Sequence, residues 1–140
     1  MQILFFLIVS VLLFASTDKI EREIFATIID GLYPDRQSVR VWSDDMQKKE
    51  LLASIPKVSL VDSPQKAEIL FLKRTHASLP ENALLFAIDY RVLKAYREKI
   101  IGGFYWQKGR PNLIFFKQEL HLHHITLPRQ MQAYVESQAR

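Results

Sequence analysis

Two short runs, Ile69–Leu72 and Ala83–Ile88, are apolar at nearly every position, with no polar residue alternating through them. A strand with one wet face alternates apolar and polar side chains. A run that does not alternate is covered on both faces, as in the interior of a parallel sheet with helices on each side.

The rest of the chain supplies the covering elements. Ile20, Ile24, Phe25, Ile28, Ile29 and Leu32 recur at intervals of three and four, predicting a helix that Thr17 or Asp18 caps, with Glu21 and Glu23 in its first turn. Gly31 and Pro34 stop it. Ser38–Trp42 reads as a strand, and SDDMQKKELLAS as a helix opened by Ser43 or Asp44 and closed before Pro56. Lys57–Val61 is a second strand, DSPQKAE a turn or short helix, and Ile69–Leu72 a third strand. After Ala83–Ile88, Asp89 caps a helix with Val92, Leu93, Tyr96 and Ile100 on one stripe.

Gly102–Phe116, GGFYWQKGRPNLIFF, holds two aromatic-rich strands, Phe104–Gln107 and Asn112–Phe116, around a KGRP loop of hairpin composition. Pro128 then opens a terminal helix, Arg129–Ser137, whose Met131, Tyr134 and Val135 pack back on the body. The fold class that follows is α/β: a layered sandwich with a central, mostly parallel sheet ending in an antiparallel hairpin, helices on both faces.

At 140 residues, and with no internal repeat, the chain suits one domain, residues 17–140, behind an N-terminal segment. In that segment, MQILFFLIVSVLLFAST, Ile3–Phe14 is apolar save Ser10. The block is shorter than the roughly 20 residues a spanning helix needs and matches an export signal. Residues 1–16 therefore read as a signal peptide, with a retained membrane anchor or a buried N-terminal element as alternatives. The absence of cysteine excludes disulfides and a lipoprotein anchor, so the core alone must hold an exported fold. The 19 Lys and Arg and 15 Asp and Glu are interspersed, without the basic run that neutralises many phosphates, which argues against nucleic acid as a partner.

Catalytic signatures are missing. No Gly-x-Ser-x-Gly elbow occurs, and Gly102, Gly103 and Gly109 lack the spacing of a phosphate-cradling loop. Asp44-Asp45 after the first strand invites comparison with the acidic pocket of receiver domains, but Lys73-Arg74 stands where their phosphoacceptor Asp would be. A helix cap accounts for the two carboxylates. Glu119, His121, His123 and His124 in ELHLHH offer two or three ligands at most, without HExxH spacing, so no metal or other cofactor is expected.

The order of elements resembles that of the YfiR/HmsC-like family of periplasmic proteins. IFATIIDGLYPD is similar to their first helix with its aromatic stop, VRVWSDDMQKKELL to their first strand and helix, and AEILFL to their buried strand. ALLFAIDYRVL resembles the family's strand ending before a helix, and GGFYWQKGRPNLIFF their Gly-Gly strand, turn and Arg-apolar-Phe strand. The chain departs from the family in having no cysteine, which excludes the redox control some members use. The resemblance implies a periplasmic, non-enzymatic regulator that binds the sensor region of an inner-membrane protein, a diguanylate cyclase or histidine kinase, with a homodimer as a further arrangement. Phe104, Tyr105, Trp106, Arg110 and Phe116 are the candidate partner-binding residues, since interfaces favour aromatics and Arg. The alternative is a small ligand- or ion-binding protein using Asp44, Lys73 and Asp89 at strand ends, where open α/β sheets place ligands.

Overall fold

The computed structural model describes residues 2–137, with side chains from Thr17 onward. The expected signal segment over residues 1–16 thus lies outside the residues whose side chains are described. Helix α1 runs Gln2–Leu32, so Thr17 and Asp18 sit inside it and cap nothing. No Gly or Pro precedes Gly31, and nothing in the local sequence interrupts the helix upstream. Among the described residues no helix is long and apolar enough to cross a membrane.

Strand β1 (Val39–Ser43) leads to α2 (Met46–Ala53), β2 (Val58–Leu60), β3 (Ile69–Leu72), β4 (Leu84–Ala87), α3 (Tyr90–Ala95) and β5 (Gly102–Gln107). Then come β6 (Arg110–Phe116), α4 (Lys117–Leu122) and β7 (Val135–Glu136). Together they make one seven-stranded sheet in the order β2-β1-β3-β4-β5-β6-β7, parallel throughout except for the β5–β6 pair. The α/β class with a mostly parallel sheet and a late hairpin is therefore what the chain adopts.

Every residue of β3 and β4 is buried, and their side chains feed two separate cores. On one face Phe25, Ile28 and Ile29 of α1, Leu52 of α2 and Leu120 of α4 pack on Val41, Ile69, Phe71 and Phe86. Phe25, Phe71, Phe86 and Phe115 form a chain of ring contacts at 5.3, 5.3 and 6.0 Å between centroids. On the other face Val92 and Leu93 of α3, with Tyr96 and Ile100, cover Leu70, Leu72, Leu85 and Phe116. Each such side chain contributes roughly 1.5–3 kcal/mol by leaving water, which a chain without disulfides needs against its ordering entropy.

Two local expectations give way to tertiary bonds. Asp45, not Ser43 or Asp44, caps α2 through the Lys48 N–H, because Ser43 Oγ donates to the Phe71 carbonyl and Asp44 is drawn to the loop after β3. The terminal segment is a 3-10 helix over Arg129–Tyr134 and then β7, since Val135 finds a strand partner in Phe115. Met131 is buried as expected, while Tyr134 stays exposed.

The amino ends of the strands are closed by polar bonds around Glu68. Its carboxylate accepts the Arg40 N–H at 2.9 Å and pairs with Arg36 at 2.7 Å. Burial pushes this carboxyl up, but the Arg40 N–H and the Arg36 and Arg40 guanidiniums together hold it below the usual glutamate value.

The hairpin turn is only two residues, Lys108 and Gly109, both at positive φ (52° and 74°), the mirror-type turn whose twist matches the strands. Arg110 and Pro111 therefore belong to β6, and Pro111 sits where β6 has no neighbour but β5. At the other end of the hairpin, Gly102 lies so close to β6 that a Cβ would stand 2.3 Å from the Ile114 carbonyl oxygen. Gly102→Ala should cost about 3 kcal/mol or more, because backbone must move. Gly109→Ala, with open space around it, should cost about 1 kcal/mol for its left-handed φ. Urea unfolding of both variants checks this ranking, and equal costs would contradict it.

Candidate functional site

The strand order places a switch point between β1 and β3. The connection from β1 goes outward to β2, whereas the later crossovers step the opposite way, through β4 to β5. Connections that diverge like this leave a crevice outside the carboxyl ends of the strands. In this chain Asp44 and Asp45 follow β1, Lys73 and Arg74 follow β3, and Ile88 and Asp89 follow β4. Strand β5 pairs with β4 only through Gly102 and Gly103, so Phe104–Gln107 runs on past the sheet and walls the crevice on one side. Next to the switch point, over the carboxyl ends of β3 and β4 and against β5, lies a cleft of about 320 Å³.

Its floor and walls come from five elements. Phe104 and Trp106 point to the α1 face and stack edge-on at 6.0 Å, while Tyr105, one residue out of phase, meets Tyr90 of α3 at 5.1 Å. Trp106 Nε1 donates to Glu21 Oε1 at 2.8 Å, and Lys48 Nζ of α2 donates to Glu21 Oε2 at 2.5 Å. Glu21 is only 4% exposed, and this single carboxylate ties α1, α2 and the hairpin together beside the cleft. Lys73 Nζ stands 3.7 Å from Asp45, and Arg91 Nε 3.5 Å from Asp89.

The carboxylates around this end are already engaged. Asp44, its side chain 4% exposed, accepts the N–H groups of Lys73 and Arg74 at 2.7 and 3.0 Å and meets His76 Nε2 at 2.7 Å. Asp45 caps α2 and Asp89 caps α3, the latter accepting the Arg91 N–H at 2.8 Å. What the cleft presents to a visitor is therefore aromatic faces beside the ion-paired groups Lys48–Glu21, Lys73–Asp45 and Arg91–Asp89. That chemistry suits recognition by stacking and charge.

The structure sorts the residues singled out from sequence. Lys73, Asp89, Phe104, Tyr105 and Trp106, assigned to two different readings, line one cleft. Asp44 lies beside it as a staple for the loop after β3. Arg110 is exposed on the hairpin opposite Gln107. Two candidates are corrected: Phe104 (2% exposed) and Phe116 (fully buried) are core side chains, the first reaching only the floor of the cleft and the second offering a partner no surface. Phe116 lies at the far end of β6 beneath the Arg97 guanidinium, because alternate strand residues must face the core. The Glu119/His121/His123/His124 cluster falls at the opposite end of the domain, where Glu119 and His123 approach to 3.3 Å. Among the described residues no group of three or more His, Cys, Asp or Glu could hold a metal ion.

Sequence reasoning missed Glu21 and Lys48. Glu21 read as a first-turn acid of the helix, yet it is four residues before Phe25 and falls on the same stripe as Ile28 and Leu32, the signal that could have placed it inside. No protein-family model, curated protein or solved structure matches this chain.

Removing the central carboxylate strands a half-buried ammonium. Glu21→Gln should destabilise the fold by about 1–3 kcal/mol, and adding Lys48→Met should recover part of that loss by removing the unpaired charge. Denaturant unfolding followed by tryptophan fluorescence measures both variants, and additive losses would show that the pair does not couple.

Proposed function

We propose that this chain is an exported, non-catalytic binding module that docks on the periplasmic region of an inner-membrane signalling protein, a diguanylate cyclase or histidine kinase, and modulates its output. The observation that carries this reading is the rim of the cleft. Tyr90 (49% exposed), Trp106 (37%) and half-buried Tyr105 stand with Arg91 around an opening whose carboxylates are all engaged in structural bonds, and Arg110 is exposed further along the same hairpin. Aromatics and Arg held rigidly at a surface are what interface centres use. The partner class rests on the resemblance of the element order to the YfiR/HmsC-like family.

Mild crosslinking of the tagged full chain in its native cell envelope, followed by mass spectrometry, tests the reading. An inner-membrane cyclase or kinase should be captured, and Tyr105→Ala combined with Arg110→Ala should reduce capture about tenfold while the variant keeps the circular dichroism of the folded chain. Capture undiminished by those changes removes the hairpin from the interface. Absence of any signalling protein from the wild-type sample overturns the reading.

One observation favours a second reading, a small-ligand binder: the cleft lies at the carboxyl ends of the strands, next to the switch point, with Lys48, Lys73 and Arg91 beside aromatic walls. A small carboxylate or phosphate at 100 times its dissociation constant would then add about 2.7 kcal/mol to stability. Lys73→Ala should abolish the corresponding thermal shift. A screen of such anions without any shift speaks against it.

A further inference from the structure

The two neighbours of β6 do not cover it equally. Strand β5 pairs with it from Gly102↔Phe115 to Gln107↔Arg110, whereas β7 pairs only with Phe115 and Phe116. Among the described residues no strand lies beside Arg110–Ile114 on the β7 side. Arg110 and Pro111 are exposed there, and Asn112, Leu113 and Ile114 are half-buried.

The register fixes where each backbone group points. Phe116 N–H donates to the Ile101 carbonyl at 2.9 Å, and bonds to an antiparallel neighbour recur at every second residue. Arg110, Asn112 and Ile114 therefore address β5, while Pro111, Leu113 and Phe115 address the open side. At Phe115 that side already takes a strand, β7. Further along it offers the Leu113 N–H and the carbonyls of Pro111 and Leu113, a spacing that only another extended backbone matches.

Side-chain recognition lies alongside. A cavity of about 240 Å³ separates this edge from α3, lined by Tyr90, Leu93, Arg97, Tyr105, Asn112 and Glu136 among others. It holds one cation, one anion and an amide, so a neutral polar side chain entering it gains partners without leaving a charge unbalanced.

The same geometry argues against a second copy of β6 as the added strand. A two-fold axis at Asn112 would set Pro111 opposite Leu113, and the missing proline N–H would remove half of the bonds. An axis at Leu113 would set Pro111 opposite Phe115, where β7 already sits. At the other sheet edge β2 has three residues, and its Val58 N–H is already bonded to the Ile55 carbonyl.

We propose that the open edge of β6 is a strand-addition site, at which an extended segment of another protein pairs with Pro111 and Leu113 and places an uncharged polar side chain between β6 and α3. This goes beyond the binding-module reading and does not rest on it, since the backbone contact requires no particular class of partner.

Random dodecapeptides displayed on phage, panned against the full chain, supply the probe, and an enriched peptide is synthesised. On its addition, hydrogen exchange of the Leu113 amide, followed by NMR, should slow about tenfold or more, while Asn112 and Ile114, already bonded to β5, change less. Leu113→Pro, which removes only the outward N–H from the backbone, should weaken peptide binding about tenfold; Leu113→Ala, which keeps it, should weaken binding far less. Should the proline variant not fold, exchange in the wild-type chain decides alone. Failure to enrich any peptide, a bound peptide that leaves Leu113 exchange unchanged, or equal losses in the two variants would overturn the proposal. Because the panning contains no envelope protein, such a failure leaves the crosslinking experiment unaffected.

Discussion

Burial of β3 and β4 on both faces is the constraint from which the rest of the architecture follows. Four residues in each strand must all leave water, so helices have to lie above and below. Parallel crossovers are right-handed, and a connection that steps outward from β1 to β2 puts α2 on one face while one that steps the other way from β4 to β5 puts α3 on the opposite face. Covering both faces with short connections thus requires the direction of winding to reverse. The switch point between β1 and β3 is the geometric residue of that reversal, and the cleft lies next to it, over the carboxyl ends of β3 and β4.

Once the crevice exists, its polar groups must be satisfied, and the way they are satisfied decides what remains for recognition. Asp44 accepts bonds from the loop after β3, Asp45 and Asp89 cap helices, and Glu21 holds Lys48 and Trp106. A buried carboxylate without such partners would cost several kcal/mol. The bonds that pay this cost also fix the hairpin and α2 to α1, so the exposed ring of Trp106 is held by the same contacts that stabilise the fold, and half-buried Tyr105 is held against Tyr90. Recognition by this rim would lose little side-chain entropy, because the side chains are ordered beforehand.

Local chemistry made much of this legible. The interior strands, the Asp89 cap, the antiparallel pairing within GGFYWQKGRPNLIFF and the buried stripe of Phe25, Ile28 and Ile29 all follow from patterns a few residues long. The cap of α2 was not legible, because Ser43, Asp44 and Asp45 are chemically equivalent candidates until β3 and its loop remove the first two. Nor was the fate of the hairpin aromatics: alternation assigns them to two faces, but only the α1 neighbour Phe25 puts Phe104 inside and the α3-side cluster Phe116, while Trp106, beyond them, stays partly exposed. Glu21 was readable as a stripe position and unreadable as the partner of Trp106, 85 residues away.

By itself the sequence determined the class of fold, the sites of its turns and the absence of covalent cross-links, because hydrophobic period, glycine and proline placement and cysteine count act within a turn or two of chain. Only the tertiary structure decided the strand order and the convergence of Lys73, Asp89, Tyr105 and Trp106 on one cleft. Those are properties of long-range pairing, in which a carboxylate or an aromatic ring is assigned its role by whichever distant N–H, ammonium or apolar wall the topology brings within reach.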